Sequence, residues 1–251
     1  MDEIVAALAE QHDELFGLLV GLDEAQWHLP SRCEGWSLAD VVLHLSQTDE
    51  LAIASASGRF NDALVTLAHG LGPAGNVDDG ADLMVARDRG KPGAVVLENW
   101  KTGADRLRAL LSATDPHARV VWVAGELSAR TLATTRLAEC WIHTGDVAEG
   151  LGTVRVPGDR LRHIARLAWR TLPYAFSRSG RELTGPVAFE LVGPSGDPWR
   201  FVPDEQPLTT ITGPAVDLCL VAGRRVDPAN TELLAEGPDA EAVLELVRTY
   251  A

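Results

Sequence analysis

The residues best suited to chemistry are Glu139 and His143, which stand four apart in a stretch with helical character. A helix places residues four apart on one face, so the carboxylate and the imidazole can reach the same ion. A carboxylate oxygen and a neutral imidazole nitrogen suit zinc, and one further protein ligand would leave a coordination position open, as in catalytic zinc sites. A solvated Glu–His pair on a helix surface is the alternative that the spacing leaves open.

His44 is the best candidate for the third ligand because it stands among the apolar residues of another predicted helix. Four other histidines lie in acidic or loop-like surroundings, namely His12, His28, His69 and His117. His163 is a weaker competitor. A histidine that only packs in the core remains an alternative interpretation of His44.

Two aspartates stand one helical turn from these candidates. Asp146 follows His143 by three residues, so it could accept a hydrogen bond from a ligand imidazole. A surface acid near the end of the helix is the competing interpretation. Asp40, one turn before His44, could serve that ring in the same way, but its position three residues after Ser37 favours a capping box at the start of the helix.

Four helices must position these side chains. Apolar residues at helical spacings, together with start and stop signals, predict them at about residues 2–22, 37–57, 94–111 and 128–150. Residues 70–93 contain six glycines, two prolines and several aspartates, which predicts a long loop with one helical turn near Leu83. Four helices joined by connections of different lengths indicate a helical bundle.

The pattern changes after residue 152. A fifth helix is predicted at 160–178, with a kink or an end at Pro173. Runs of β-forming residues then predict antiparallel strands at 187–192, 199–202 and 208–211, and two further helices would cover them at 214–222 and 238–250. We therefore predict an α+β protein, with a metal-binding helical bundle at residues 1–152 and a smaller α+β domain at residues 153–251.

Composition bears on the partners and on the location. The 251 residues include 36 acidic and 22 basic ones, for a net charge of −14, and residues 1–150 alone hold 23 acidic and 11 basic residues. Nucleic acid is not an expected partner, because binding a phosphate backbone needs clustered Lys and Arg. No stretch approaches the ~20 apolar residues of a membrane helix, and the acidic N-terminus does not resemble a signal peptide. We expect a cytoplasmic monomer or homodimer that acts on a small molecule.

The three cysteines, Cys33, Cys140 and Cys219, are far apart and odd in number. No pair has the spacing of a thiolate metal framework or of a redox motif. We interpret them as buried free thiols.

Two motifs carry a resemblance to a known family. Trp27, the segment GWSLADVVLHL at 35–45 and the later Glu139-x-x-x-His143-x-x-Asp146 resemble the mycothiol-dependent maleylpyruvate isomerase family of the DinB-like superfamily. Three further segments resemble an actinobacterial branch of that family known only as metal-binding, namely RLRH at 160–163, YAF at 174–176 and GPAVDLCLV at 213–221.

The resemblance implies a DinB-like four-helix bundle followed by a smaller, sterol-carrier-like α+β domain, which agrees with the pattern of elements. It also implies that His44, Glu139 and His143 hold the metal. In that family the metal binds and deprotonates the thiol of mycothiol. Addition of the thiolate to an activated double bond then permits cis–trans isomerisation, and an adduct that is kept makes the enzyme a thiol transferase.

The resemblance further suggests a catalytic arginine in the smaller domain. Gly223-Arg224 resembles the Gly-Arg that closes the equivalent helix in relatives, so Arg224 is the candidate to bind an anionic substrate. In the competing interpretation, Arg224 and Arg225 only stabilise the C-terminal end of a helix.

The leading hypothesis is a metal-dependent enzyme, with zinc or another divalent ion, that uses mycothiol to isomerise or conjugate a small electrophilic substrate. One alternative is a thiol-independent metal enzyme of a biosynthetic pathway, of the hydrolase or lyase type, in which the metal activates water. The other is a non-catalytic metal- or ligand-binding protein.

Overall fold

The computed structural model describes residues 1–123 and 125–249. The chain divides into two compact units, Met1–Arg155 and Val156–Ala251. The first is mainly helical, and the second combines helices with a four-stranded sheet. Within the part of the chain that the structure describes, none of the helices combines the length and the apolar character needed to cross a bilayer.

The first unit is built on four long helices. Its described helices are α1 (Asp2–Leu19), α2 (Glu24–Trp27), α3 (Leu38–Ala56), α4 (Phe60–Ala68), α5 (Val77–Asp88), α6 (Gly93–Ala113) and α7 (Ala129–Gly150). A hairpin of β1 (Arg119–Trp122) and β2 (Gly125–Ser128) leads into α7. Helices α3 and α1 each pack against both α6 and α7, which closes the bundle. The four long helices correspond to those predicted from periodicity.

Side-chain caps fix where the two helices that carry the candidate ligands begin. Ser37 accepts a hydrogen bond from the backbone of Asp40, and the Asp40 carboxylate accepts one from the backbone of Ser37, at 3.3 and 3.0 Å. This reciprocal pair is the predicted capping box. Ser128 caps α7 by accepting a hydrogen bond from the backbone of Thr131 at 3.1 Å. Each start fixes which later residues of its helix face the bundle interior.

The prediction of a long loop at 70–93 is wrong in its central part, because residues 77–88 form α5. Asn76 caps this helix by accepting a hydrogen bond from the backbone of Asp79 at 2.9 Å. Only Ala81 and Val85 are buried on it, so its apolar stripe is too narrow to produce a clear helical period. Helix α4 was also missed.

The second unit contains, in chain order, α8 (Leu161–Arg178), β3 (Val187–Val192), β4 (Pro198–Phe201), β5 (Thr209–Pro214), α9 (Ala215–Ala222), a 3-10 turn (Pro228–Asn230), β6 (Leu234–Glu236) and α10 (Ala240–Leu246). The strand order is β4-β3-β5-β6. The final predicted helix is shorter than expected, and its predicted end at Tyr250 lies outside the described residues.

One expectation for this unit is wrong, and one of the two alternatives given for Pro173 is excluded. Strand β5 pairs in parallel with β3, because the chain turns back through β4 and then crosses to the other edge of β3. The sequence predicts a kink or an end at Pro173, and the structure excludes the end, because helix α8 continues through that residue. Proline removes one hydrogen bond of the helix, and Pro173 is exposed.

Candidate metal centre

The three candidate ligands lie on two helices that pack against each other. His44 is on α3, and Glu139 and His143 are one turn apart on α7. Both imidazoles are buried, and the carboxylate side chain keeps 22% of its surface exposed. The candidate site is therefore enclosed on its histidine sides and reaches solvent on the glutamate side.

The donor atoms have the spacing of ligands around one ion. Oε2 of Glu139 lies 3.7 Å from Nε2 of His44 and 3.5 Å from Nε2 of His143. All three ligand atoms lie within 4.8 Å of one another. A tetrahedral zinc ion with bonds of ~2.0–2.1 Å holds its nitrogen and oxygen ligands about 3.4 Å apart. Two imidazoles and one carboxylate thus fit a zinc-like ion both in chemistry and in spacing.

The charges of the three groups are coupled. Burial alone would raise the pKa of Glu139, but its contacts with His143 and His44 outweigh burial and hold that pKa well below its ordinary value. Burial opposes protonation of His143, yet hydrogen bonds with Asp146, Cys33 and Glu139 raise its pKa well above the ordinary value. An ion that binds at Nε2 of His143 must therefore displace a proton.

His44 differs from His143 in its electrostatic surroundings. Burial is the main cause that lowers the pKa of His44, although the contact with Glu139 opposes that effect. Nδ1 of His44 is buried and has no hydrogen-bond partner among the described residues. The two imidazoles are 4.9 Å apart between ring centroids and nearly perpendicular, at 71°.

Asp146 fixes the orientation of the His143 ring. Its Oδ2 lies 2.9 Å from Nδ1 of His143, and its side chain is completely buried, so it is not a surface acid. A hydrogen bond at Nδ1 directs Nε2 of the same ring towards Glu139. By contrast, Asp40 is engaged in the cap of α3.

Cys33 is a neighbour of the site that sequence reasoning missed. Its thiol lies 3.2 Å from Oδ2 of Asp146 and 3.9 Å from Nδ1 of His143. These three side chains form a second close group of ligand atoms, which shares His143 with the first. The loop that carries Cys33 is attached to α7, since the backbone N–H of Arg32 donates to the carbonyl of Asp146 at 3.4 Å. The position of Cys33 just before the 35–45 motif was the available signal.

A buried ion pair lies on the same two helices, one turn away from the candidate ligands. Nε of Arg136 donates to Oδ1 of Asp49 at 3.1 Å, and Nη2 donates to Thr48 at 2.8 Å. The side chains of Arg136 and Asp49 are 2% and 4% exposed. Burial raises the pKa of Asp49 to about 6, although Arg136 opposes that rise. The sequence feature that could have indicated this buried ion pair is the presence of charged residues within the predicted core faces of α3 and α7.

The remaining histidines are not part of this cluster of donor atoms. His12, which the sequence analysis placed in acidic surroundings, is in fact buried and bonded to Arg108. His28, His69 and His117 belong to the first unit, outside its long helices. His163 lies in the second unit, on α8.

Arg224 belongs to the second unit, directly after α9. Its backbone φ is 58°, a left-handed conformation that normally favours glycine. The backbone N–H groups of Arg224 and Arg225 donate to the carbonyls of Val221 and Leu220 at 3.0 and 2.8 Å, which is the Schellman pattern. Arg224 occupies the position where this motif usually has glycine, and its side chain is exposed.

Comparison with known proteins gives one family. A family model described as the mycothiol maleylpyruvate isomerase N-terminal domain matches residues 8–148. Two uncharacterised proteins of Mycobacterium tuberculosis, from strains CDC 1551 / Oshkosh and ATCC 25618 / H37Rv, are each 34% identical to this chain over 250 residues. Each alignment covers 98% of this chain and 95% of the relative.

Two solved structures share the fold. The crystal structure of the mycothiol-dependent maleylpyruvate isomerase matches with a TM-score of 0.62 at 17% identity and covers 95% of both chains. A variant of it with one histidine replaced by alanine gives a TM-score of 0.61 at 17% identity and covers 94% of this chain and 95% of that one. These matches confirm the predicted fold class. Because the family model covers more than half of the sequence and the relatives align over nearly all of it, the chain belongs to the mycothiol maleylpyruvate isomerase family.

Proposed function

We propose that this protein is a metal-dependent enzyme that uses a small thiol, mycothiol, to isomerise or conjugate a small electrophilic substrate. The observation that carries the proposal is the position of Oε2 of Glu139, between Nε2 of His44 and Nε2 of His143, in a member of this family. Zinc is the ion that the donor set favours, and another divalent ion is compatible with it.

The chain's own residues have distinct parts in this proposal. His44, Glu139 and His143 would hold the ion, which supplies the positive charge that ionises a thiol at neutral pH. Asp146 keeps Nε2 of His143 directed at the site through the hydrogen bond at Nδ1. The Glu139 carboxylate offsets part of the ion's charge, and the burial of both imidazoles strengthens these interactions by excluding water.

Arg224 is the proposed residue for binding an anionic substrate. The maleylpyruvate in the name of the structural relative is a carboxylate compound, and residues 1–150 carry a net charge of −12, from 23 acidic and 11 basic residues. An arginine can bind a carboxylate through two parallel hydrogen bonds. Left-handed backbone at a residue other than glycine costs about 1 kcal/mol or more. Arg224 adopts this conformation although glycine would adopt it at lower cost, which supports a role for the arginine side chain.

Mycothiol binding to the metal-loaded and the metal-free protein tests the thiol part of the proposal. Calorimetric titration should give clear binding to the zinc-loaded protein and binding at least ~10-fold weaker to the metal-free protein, since the ion favours the thiolate form. The zinc-loaded protein should also convert maleylpyruvate only when mycothiol is present. Equal or absent mycothiol binding in both forms would contradict the proposal and favour a thiol-independent metal enzyme of the hydrolase or lyase type. Zinc binding without any turnover would favour a non-catalytic binding protein.

Three substitutions at Arg224 separate substrate binding from helix capping. Arg224→Gly should raise the stability of the protein by up to ~1 kcal/mol, because glycine suits the left-handed conformation, yet lower kcat/KM for an anionic substrate by ~10-fold or more. Arg224→Lys and Arg224→Ala should lower turnover to a similar extent at nearly unchanged melting temperature. If Arg224 only stabilises the end of the helix, turnover should stay intact in all three variants.

The proposal includes a cytoplasmic location, because thiol chemistry of this kind requires a reducing compartment. It also includes action as a monomer or homodimer.

A further inference from the structure

Helix α5 lies against the same stripe of α3 that carries His44. Asp40, His44 and Gln47 are spaced by four and three residues, so they share one helix face. Helix α5 and Arg89, the residue that follows it, contact both Asp40 and Gln47. Nε of Arg89 lies 3.5 Å from Oδ1 of Asp40, and Nε2 of Gln47 donates to Oδ2 of Asp88 at 2.9 Å. We call α5 seated when it makes these contacts. Seated α5 contacts α3 on both sides of His44, one turn before it and one turn after it.

Trp36 connects α5 directly to the His44 ring. Its indole N–H donates to Oδ1 of Asp82 on α5 at 2.8 Å. The same indole packs on the imidazole of His44, with 5.1 Å between ring centroids and 50° between the planes. One side chain thus contacts both α5 and a candidate metal ligand.

This contact matters more for His44 than an equivalent one would for His143. The His143 ring is oriented by its hydrogen bond to Asp146. The His44 ring contacts Glu139 through Nε2, but its Nδ1 has no hydrogen-bond partner among the described residues, so on that side packing restricts the rotation of the ring. The indole of Trp36 supplies one face of that packing, and Asp82 fixes the indole.

Helix α5 is itself held by few apolar contacts. Ala81 and Val85 are its only buried residues, and polar contacts also attach it to α3, including a hydrogen bond from Gln47 to the carbonyl of Met84 at 3.1 Å. Four glycines flank the helix, at positions 70, 72, 75 and 90. Segments with little buried apolar surface open at lower free energy than the core does.

We infer that α5 is a cover of the candidate metal centre and that Trp36 couples its seating to the position of His44. Trp36 is a positioning residue for His44, and Asp82 is the anchor that holds Trp36. When α5 is seated, the His44 imidazole is held in the orientation that binds the metal. When α5 detaches from α3, the His44 ring can rotate away from that orientation. This inference rests on the proposed metal site but not on the identity of the thiol or of the substrate.

Zinc affinity of variants tests the coupling without any assay of turnover. Asp82→Ala removes the acceptor of the indole N–H, and Trp36→Phe keeps an aromatic ring but removes the donor. Each should weaken zinc binding by ~10-fold, the lower end for loss of a residue that orients a ligand. The double variant should be no weaker than either single one, because both remove the same bond. Asp78→Ala is the matched control, since Asp78 is exposed on the same helix, and it should leave zinc affinity unchanged.

Hydrogen exchange provides a second readout through the reciprocity of coupled equilibria. If seating of α5 tightens zinc binding, zinc must favour the seated α5 by the same factor. Amides of residues 77–88 should exchange up to ~10-fold more slowly when zinc is added to the wild-type protein or to Asp78→Ala. Zinc should have little effect on this exchange in Asp82→Ala.

The outcomes separate this inference from the proposed function. Circular dichroism should first show that Asp82→Ala and Trp36→Phe are folded. If the folded variants then bind zinc as tightly as the wild-type protein does, the inference is wrong, but the proposed metal site is unaffected. Exchange in α5 that does not respond to zinc in the wild-type protein would overturn it as well. Failure of the wild-type protein to bind zinc would overturn both proposals, whereas failure to bind mycothiol would leave this one intact.

Discussion

The bundle buries histidines in two regions with opposite electrostatic surroundings. In the first region, Arg108 donates to Nδ1 of His12 at 2.7 Å, and Trp100 packs edge-on against the ring at 5.6 Å between centroids. Burial, reinforced by the positive charges of Arg108 and Arg136, lowers the pKa of His12 to about 3. His12 is a neutral, hydrogen-bonded histidine of the core.

The second region places a carboxylate between two imidazoles. Glu139 lies between His44 and His143, and Asp146 lies behind His143. Both regions bury their imidazoles to a similar degree. Burial therefore does not distinguish a core histidine from a candidate ligand. The nearby charges do, because only the second region offers several donors to one cation.

The largest expected effect comes from Arg136, whose charge acts on both regions. It contributes, after burial and Arg108, to the low pKa of His12, and it is among the groups that offset the burial of Glu139. Arg136→Met should lower the free energy of unfolding by about 3–5 kcal/mol, because it leaves Asp49 buried without its partner. Urea denaturation measures this loss.

Two comparisons check the reason for that loss. The double variant Arg136→Met, Asp49→Leu should recover most of the stability, since no buried charge is left unpaired. The pair Arg106–Glu50 has a similar length, 2.8 Å, but is 57% and 45% exposed, so Arg106→Met should cost less than ~1 kcal/mol. Equal losses for Arg136→Met and Arg106→Met would show that burial of the pair is not the cause.

The next effect should come from the carboxylate that distinguishes His143 from His12. Asp146→Asn should weaken zinc binding by ~10- to 100-fold, because it removes the charge that orients His143 and favours its hydrogen bond at Nδ1. Competition with a chromophoric chelator measures the affinity. Asp239→Asn is the matched control, since Asp239 is a buried, hydrogen-bonded aspartate of the second unit, and the zinc affinity of this variant should equal that of the wild-type protein. A similar loss in both variants would contradict the role of Asp146.

The smallest effect concerns the pH dependence contributed by His12. Its pKa is about 3 in the folded protein against 6.5 for an ordinary histidine, so below pH 6.5 the unfolded chain takes up a proton that the folded protein does not. Stability should therefore fall as the pH drops from 6.5 towards 3, by at most about 1.4 kcal/mol per pH unit from this group. Urea denaturation at pH 7 and pH 5 measures how much the free energy of unfolding falls between these two pH values. This fall should be smaller in His12→Gln than in the wild-type protein, by up to ~2 kcal/mol. An identical loss in wild type and variant would exclude His12 as the source.

Periodicity explains why much of the bundle could be predicted from the sequence. The spacing of Glu139 and His143 assigns them to one helix face, and the cap at Ser37 fixes the phase of the helix that carries His44. Those local rules bring the three side chains to the bundle interior, where the structure has them within reach of one another. His12 shows the limit of the same reasoning, because its acidic sequence neighbours point to solvent while its own side chain is buried.

The missed features depend on contacts between distant parts of the chain. Trp36 belongs to the 35–45 motif, but its contacts with His44 and α5 could not be predicted, because Trp36 and Cys33 lie in a loop and the sequence does not show which helix that loop packs against. Helix α5 buries only Ala81 and Val85, a stripe too narrow to produce a clear periodic signal, and polar contacts with α3 also attach it. The parallel pairing of β3 with β5 depends on where the chain crosses the sheet, which strand propensity does not encode.

Zinc content is the most direct test of the site formed by His44, Glu139 and His143. Elemental analysis should find about one equivalent of divalent metal, chiefly zinc, in the purified wild-type protein and in His12→Gln, because His12 is not in the group of ligand atoms found among the described residues. The double variant His44→Ala, His143→Ala should retain almost none while it keeps a helical circular dichroism spectrum. Full metal content in the folded double variant, or loss of metal in His12→Gln, would contradict the assignment.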